Sequence, residues 1–328
     1  MEKYFYIVLL GQSADDRKST AIKKTNEFFD FALNKNISGD VRRLNICQGV
    51  GSAEGLAKQL KKYGNLLLCY DEFKSFVSKA KIQSSTLLQC VNSLFESNHY
   101  ENQTSKAEII VQDSFLSMIA ASTIQTYEDS WSKGFTAIGF NNRLFIIPGS
   151  GKRRESLPPE VPDKDKLALA AELYQILNFA GEFRKVDITP RAKKLFHEWY
   201  MNIPTSIHSK RLDGYALRFM VLMAINNMAE TIDESIVNNA IELMDWQFEM
   251  RQMYDPIDAD NAMARMEEKI RRVLSLHQKS DRELKQATNA NRTGLFFFIN
   301  AKKNLQSAGE IVFDSKEKKW SLVNKKKT

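Results

Sequence analysis

Apolar and polar positions over the first 147 residues follow two alternating periods. The run YFYIVLL at 4–10 predicts a buried strand, and residues 19–34 then place Ile22, Phe28, Phe29 and Leu33 at helical spacing. RLNICQG at 43–49 predicts a second strand. Ser52 is placed to cap a helix running to residue 62, with Leu56 and Leu60 on one face. NLLLCYDEF at 65–73 predicts a third strand, residues 84–97 a helix, 115–121 a fourth strand and 143–147 a fifth. Strands and helices taking turns in this way argue for an α/β layer with a largely parallel sheet.

Proline marks where the pattern changes. None occurs in the first 147 residues, and four of the seven fall within PGSGKRRESLPPEVP at 148–162, which reads as a hinge. Beyond it the period is helical: 163–179, a helix opened by Thr189-Pro190, a strongly apolar one at 215–228, another opened by Thr231 and Asp233, and an amphipathic one at 263–277. The expected organisation is an α/β core over 1–150, a hinge and helical subdomain over 151–262, and a C-terminal module over 263–328. That module reads as a winged helix. Its first helix covers 265–277, Ser280 or Asp281 caps a second, and a third spans 292–307 with Phe297, Ile299 and Leu305 as core positions. EIVFDSKEKKWSLV then forms a two-stranded wing turning at 314–318.

Composition is that of a folded chain, 43% apolar and 27% charged. The run at 4–10 is too short to cross a bilayer and no signal peptide precedes it. Three scattered cysteines without a CxxC, and four histidines, exclude a disulfide scaffold and a zinc ribbon; a reducing, cytoplasmic setting is expected. Charge is uneven. Of the net +7, residues 263–328 carry +9 and the remainder −2, the footprint of a polyanion binder. The bland reading, a solvated tail, suits Lys325, Lys326 and Lys327. In the winged-helix reading, Asn289, Asn291, Arg292, Thr293, Asn300 and Lys303 lie near a DNA groove, and Lys316, Lys318 and Lys319 meet phosphates. Winged helices also dock proteins, and that alternative stays open.

The candidate chemistry begins where the first strand runs into GQSADDRKST and a helix. Strand, polar turn, Lys-Ser and helix is the layout of a phosphate-binding loop, with Gly11, Ser13, Arg17, Lys18, Ser19 and Thr20 as candidate nucleotide contacts. Five residues follow Gly11 before Arg17, which occupies the place of the usual second glycine, and Asp15 and Asp16 put negative charge where phosphate should sit. An ordinary strand–turn–helix is the alternative. Gly149-Ser150-Gly151-Lys152 is a decoy, since no helix follows it. The third strand closes in Asp71-Glu72, suited to hold Mg²⁺ and polarise a water, or else two acids at a helix start. Ser122 and Thr123 end the fourth strand, as contacts for a γ-phosphate or as a capped strand end. Arg143 precedes the fifth strand. Arg218 interrupts an apolar helix and needs a partner, either a phosphate or a buried acid. A hairpin is expected around 98–112, with Lys106 at its tip.

Taken together, GQSADDRKST, the GSAEGLAKQL helix before LLLCYDEF, the ASTIQTY segment, GFNNRLFIIPG and the LDGYALRF helix resemble, in order, an AAA+ ATPase. They are most similar to the P-loop primase–helicase ATPases of phages and mobile elements, related to minichromosome maintenance helicases. The resemblance spans roughly residues 4–255. It implies ATP with Mg²⁺, Lys18 and Ser19 on phosphate and metal, Asp71 on the metal and Glu72 as base. It also implies Ser122 or Thr123 as a sensor, Arg143 as a finger toward a neighbour's nucleotide, and Arg218 as a second sensor in cis. Lys106 would touch DNA inside a homo-oligomeric, hexameric ring. The implied activity is that of a DNA helicase or helicase loader; the rival is a DNA-binding initiator or regulator that does not hydrolyse ATP.

Overall fold

The computed structural model describes residues 4–12, 16–34, 44–103, 108–131, 138–149, 160–182, 185–257 and 262–323. Five strands, β1 (Tyr6–Gly11), β2 (Ile46–Cys47), β3 (Asn65–Tyr70), β6 (Phe115–Thr123) and β7 (Phe145–Pro148), form one sheet in the order β2-β3-β6-β1-β7. Every pairing in it is parallel. Between them run α1 (Lys18–Asn34), α2 (Ala53–Tyr63), α3 (Phe73–Ala80), α4 (Leu87–Glu96) and α5 (Ile124–Asp129), with a hairpin of β4 (Tyr100–Gln103) and β5 (Glu108–Val111). The expected α/β layer is present, as is the expected hairpin.

Each element follows from its residues. The Ser52 side chain accepts from the Gly55 amide at 3.2 Å and starts α2 as anticipated, and Gly64, at φ 71°, ends it. β3 stops at Tyr70, three residues short of the expected strand. Phe73, Phe76, Val77 and Ala80 have helical spacing, and α3 buries them. Phe73 packs against Phe140 and Tyr127. On the sheet, Tyr6, Val8 and Leu10 are buried on one face, and the Tyr6 ring meets Phe95 at 5.0 Å. Ile22 of α1 packs with Cys69 and Ala121 against the other face.

Helices α6 (Asp163–Glu182), α7 (Pro190–Asn202), α8 (Leu212–Asn226) and α9 (Glu234–Tyr254) follow, joined by a two-residue parallel pair, β8 (Asp187–Ile188) and β9 (Thr231–Ile232). Thr189 caps α7 with Pro190 in its first turn, as the sequence predicts. Gln247 of α9 accepts from the Ile146 amide at 3.1 Å, which satisfies a donor on the edge strand β7. The chain divides into two compact units, Met1–Phe248 and Glu249–Thr328, so the sheet and α6–α8 belong together and the division falls within α9. The hinge residues 150–159 lie outside the described residues.

The second unit contains α10 (Ala262–Leu276), β10 (Lys279–Ser280), α11 (Asp281–Ala287), α12 (Ala290–Thr293), α13 (Leu295–Ser307), β11 (Ile311–Asp314) and β12 (Lys319–Leu322). Its three strands are antiparallel in the order β10-β12-β11. Ser280 and Glu283 form a reciprocal capping box at α11. The expected helix from 292 to 307 is broken at Gly294, whose φ of 109° no helix accommodates. The break resets the helical phase. Phe298, Ala301 and Leu305 are therefore the core positions, while Ile299 is exposed and Phe297 only packs at the margin.

Burial also sets an alkaline limit on stability. It pushes the Cys90 thiol from 9.0 up to about 12 and the Tyr100 phenol from 10.0 up to about 12, and it raises Tyr6 well above its ordinary range. These acids keep their protons in the folded chain after the unfolded chain has released them. Stability is therefore intact below the thiol's ordinary value and falls as pH rises from 9.0 toward about 12. Urea unfolding across this window is expected to show that fall, and Cys90→Ala is expected to flatten it; an identical pH slope in the variant would contradict this.

Candidate functional site

Parallel strands deliver all their carboxyl ends to one edge, where open α/β sheets bind ligands. Gly11 pairs with Thr123, Leu10 with Ser122, and Tyr70 with Ala120. A single strand, β6, separates the turn after β1 from the acids after β3. Their backbones are thus about 10 Å apart, two strand spacings.

The turn after β1 is organised around Asp16. The Gln12 amide donates to its carboxylate, and Lys18 donates to the Gln12 carbonyl at 2.8 Å. A side chain at position 11 would collide with the Asp16 carboxylate, so glycine is required there by contact rather than by φ. The Gly149 amide donates to the Leu10 carbonyl at 2.6 Å, and a Cβ at Gly149 would lie 3.4 Å from that of Asp16. Arg17, in the place of the second glycine, has φ 44°, the left-handed conformation for which glycine is suited. The backbone thus keeps a glycine-like turn under a different side chain. Lys18 is half-buried and begins α1; Ser19 and Thr20 are exposed in its first turn, and Ser13 lies outside the described residues.

Across β6, Asp71 and Glu72 are exposed, and their carboxylates make no hydrogen bond or ion pair among the described residues. Cys69 faces α1, receives a hydrogen bond from Asn26 at 3.6 Å, and has its thiol raised by burial and, more weakly, by the neighbouring Asp71 carboxylate. Glu72 occupies the N-cap position of α3 without a side-chain capping bond. Of the two candidate sensors, Thr123 caps α5, accepting from the Thr126 amide at 3.1 Å. Ser122 is 1% exposed and its hydroxyl has no partner among the described residues.

The fold does not bring the two arginines to this edge. Arg218 donates to the carbonyls of Tyr4 at 2.8 Å and Phe95 at 2.9 Å, and its guanidinium stacks 4.0 Å from the Phe95 ring. Arg143 donates to the Gly139 carbonyl at 2.9 Å and pairs with Glu96 at 3.3 Å. Both lie at the amino edge, the length of β1 from Gly11, about 16 Å for five residue steps. The partners Arg218 needs are main-chain oxygens and an aromatic face. The anticipated acid is not among these contacts, and carbonyl acceptors leave no signal in sequence.

In the second unit, Asn291, Arg292, Lys303, Lys316 and Lys318 are exposed, whereas Lys319 is half-buried and pairs with Glu317 at 3.6 Å. Asp314 accepts from the amides of Lys316 and Glu317 and so shapes the turn between β11 and β12. Phe296, 70% exposed, and Ile299 share the outer face of α13 with Lys303. Sequence periodicity missed this apolar stripe because it phased the helix from 292. Lys106 lies outside the described residues.

Among the described residues no group of three or more His, Cys, Asp or Glu is placed to hold a metal ion, and no helix is long and apolar enough to cross a membrane. Neither protein-family models nor curated protein sequences match the chain.

The unpartnered Ser122 hydroxyl yields a stability test. An unsatisfied buried hydroxyl costs about 1–3 kcal/mol, so Ser122→Ala is expected to leave the unliganded chain as stable or more stable. A loss above about 1 kcal/mol on denaturant unfolding would mean that the hydroxyl is hydrogen-bonded.

Proposed function

We propose that the chain is an ATP-dependent, DNA-binding motor of the AAA+ type, a helicase or helicase loader working as a homo-oligomeric ring. The observation that carries this reading is the strand order: with β6 alone between β1 and β3, the Lys18 turn and the Asp71-Glu72 pair leave the same edge side by side. The turn also suits an anion, since the Gln12 amide already binds a carboxylate oxygen there. In this reading Lys18 and the first amides of α1 hold the phosphates of ATP. Ser19 and Asp71 would hold Mg²⁺, which supplies charge neutralisation across the phosphates when bound. Glu72, exposed and without a competing partner, takes a proton from water. Ser122, level with Leu10 at the edge, has a hydroxyl free to donate.

A second reading is favoured by the same turn. Asp16 and Lys18 are both satisfied internally, as they would be in a nucleotide-sensing or non-hydrolysing DNA-binding initiator. Hydrolysis decides between the two. Lys18→Ala is expected to weaken ATP binding about tenfold or more, and Glu72→Gln to retain binding while lowering hydrolysis by about 10²–10⁴. Asp16→Asn, which removes the competing charge, is expected to tighten binding. ATP bound but not hydrolysed by the wild type, with DNA present, would leave the second reading. No ATP binding in any variant would exclude both.

The second unit supports the DNA half of the proposal through its helix–strand–three-helix–hairpin order, as in a winged helix, and the +9 charge of residues 263–328 within it. Arg292, Lys303, Lys316 and Lys318 are the contacts it favours. Replacing Lys303 and Lys316 by Ala is expected to weaken DNA binding and reduce the slope of log affinity against log salt by about 2 for duplex, one per lost phosphate contact. An unchanged slope would favour a protein partner at the Phe296–Ile299 stripe instead.

A further inference from the structure

Three guanidiniums converge at the amino edge of the main sheet, a strand's length from the Lys18 turn. Arg143 precedes β7, Arg211 precedes α8 and Arg218 lies within α8. They surround the end of α4: their guanidinium carbons lie 5.9, 6.0 and 4.0 Å from the Phe95 ring. One carboxylate, Glu96, pairs with both Arg143 and Arg211. Arg218 pairs with no carboxylate among the described residues and donates to the carbonyls of Tyr4 and Phe95. The cluster therefore holds three positive charges against one negative, with Arg143 only 9% exposed.

Two further features show that the cluster is unsatisfied as it stands. Arg143 Nε is buried without a hydrogen-bond partner among the described residues. A buried donor left without an acceptor is costly. Arg211 has φ 68°, a left-handed conformation unfavourable for a side-chain-bearing residue, at the position where the chain turns into α8 and presents this guanidinium to Glu96. Burial, and then the adjacent Arg211, hold the Arg143 guanidinium below its ordinary pKa, as expected where positive charge outweighs negative.

We propose that this amino-edge cluster is a second anion site, which takes a phosphoryl dianion between Arg143, Arg211 and Arg218 and in which Glu96 is the resident competitor. The excess of two positive charges matches a dianion, and planar guanidinium forks suit phosphate oxygens. Arg211, with its side chain 34% exposed, and Glu96, 45% exposed, give access from solvent. The site lies a strand's length from the Lys18 turn and is independent of any nucleotide bound there.

The test uses the full chain carrying Lys18→Ala, which silences the other edge. Its thermal midpoint is followed during titration with inorganic phosphate, and separately with adenosine monophosphate, at ionic strength held constant with chloride. The midpoint is expected to rise with phosphate. Arg211→Gln is expected to raise the concentration required about tenfold or more, and Glu96→Gln to lower it severalfold. Equal responses to the two probes identify the bare phosphoryl group as what is recognised, and a response to the monophosphate alone identifies an esterified one. No rise with either probe, or a rise that Arg211→Gln leaves unchanged, overturns the proposal. Arg211 is chosen over Arg143 because the latter is buried, and the Glu96→Gln response separates competition for an anion from a merely structural ion pair.

Discussion

The parallel pairing of β6 with β1 on one side and β3 on the other fixes the rest of the first unit. Parallel strands need crossovers, and the crossovers α1 and α3–α4 pack on opposite faces of the sheet through Ile22 on one and Phe76, Val91 and Phe95 on the other. The same pairing sends the β1 turn, the Asp71-Glu72 pair and Ser122 to one edge, though they are up to about a hundred residues apart in sequence. Segments so distant leave the same edge only because the register Leu10–Ser122 and Tyr70–Ala120 holds. A one-residue slip would turn every side chain of β6 to the wrong face.

The opposite edge has a different character. There Tyr6, Phe95 and Tyr215 pack together, and the Tyr215 hydroxyl donates to the Arg143 carbonyl at 2.8 Å while Tyr6 donates to the Val91 carbonyl at 2.8 Å. The arginines around Glu96 are embedded in this aromatic layer, which joins α8 to the sheet. Acidic groups free of partners lie at the carboxyl edge and basic groups in excess at the amino edge. The two edges are thus chemically unlike: one presents main-chain amides and a lysine, the other guanidiniums.

Much of this was legible in the residues, and the failures have identifiable causes. The caps at Ser52, Thr189 and Ser280 could be read because capping is local chemistry. The buried strands stood out as apolar runs. By contrast, the apolar pattern extends the strand over DEF because a buried strand and the start of a helix share apolar residues, and only packing of Phe73 on Phe140 decides between them. The break at Gly294 was hidden because an isolated glycine within a helical pattern is ordinarily tolerated. The partners of Arg143 and Arg218 lie in remote elements, so residue type announced only that partners were needed. The fold of Asp16 back onto Gln12 could be anticipated solely as unwelcome charge, since which amide it meets depends on the path of the turn.

The central claim, that the carboxyl edge receives the phosphates of ATP, is tested most directly by hydrogen–deuterium exchange of the full chain with and without ATP and Mg²⁺. The account predicts slower exchange in peptides covering residues 11–20 and 70–73, at saturating nucleotide, with residues 95–97 and 211–218 unchanged. Protection confined to the amino edge, or none at either edge with nucleotide demonstrably bound, would contradict it.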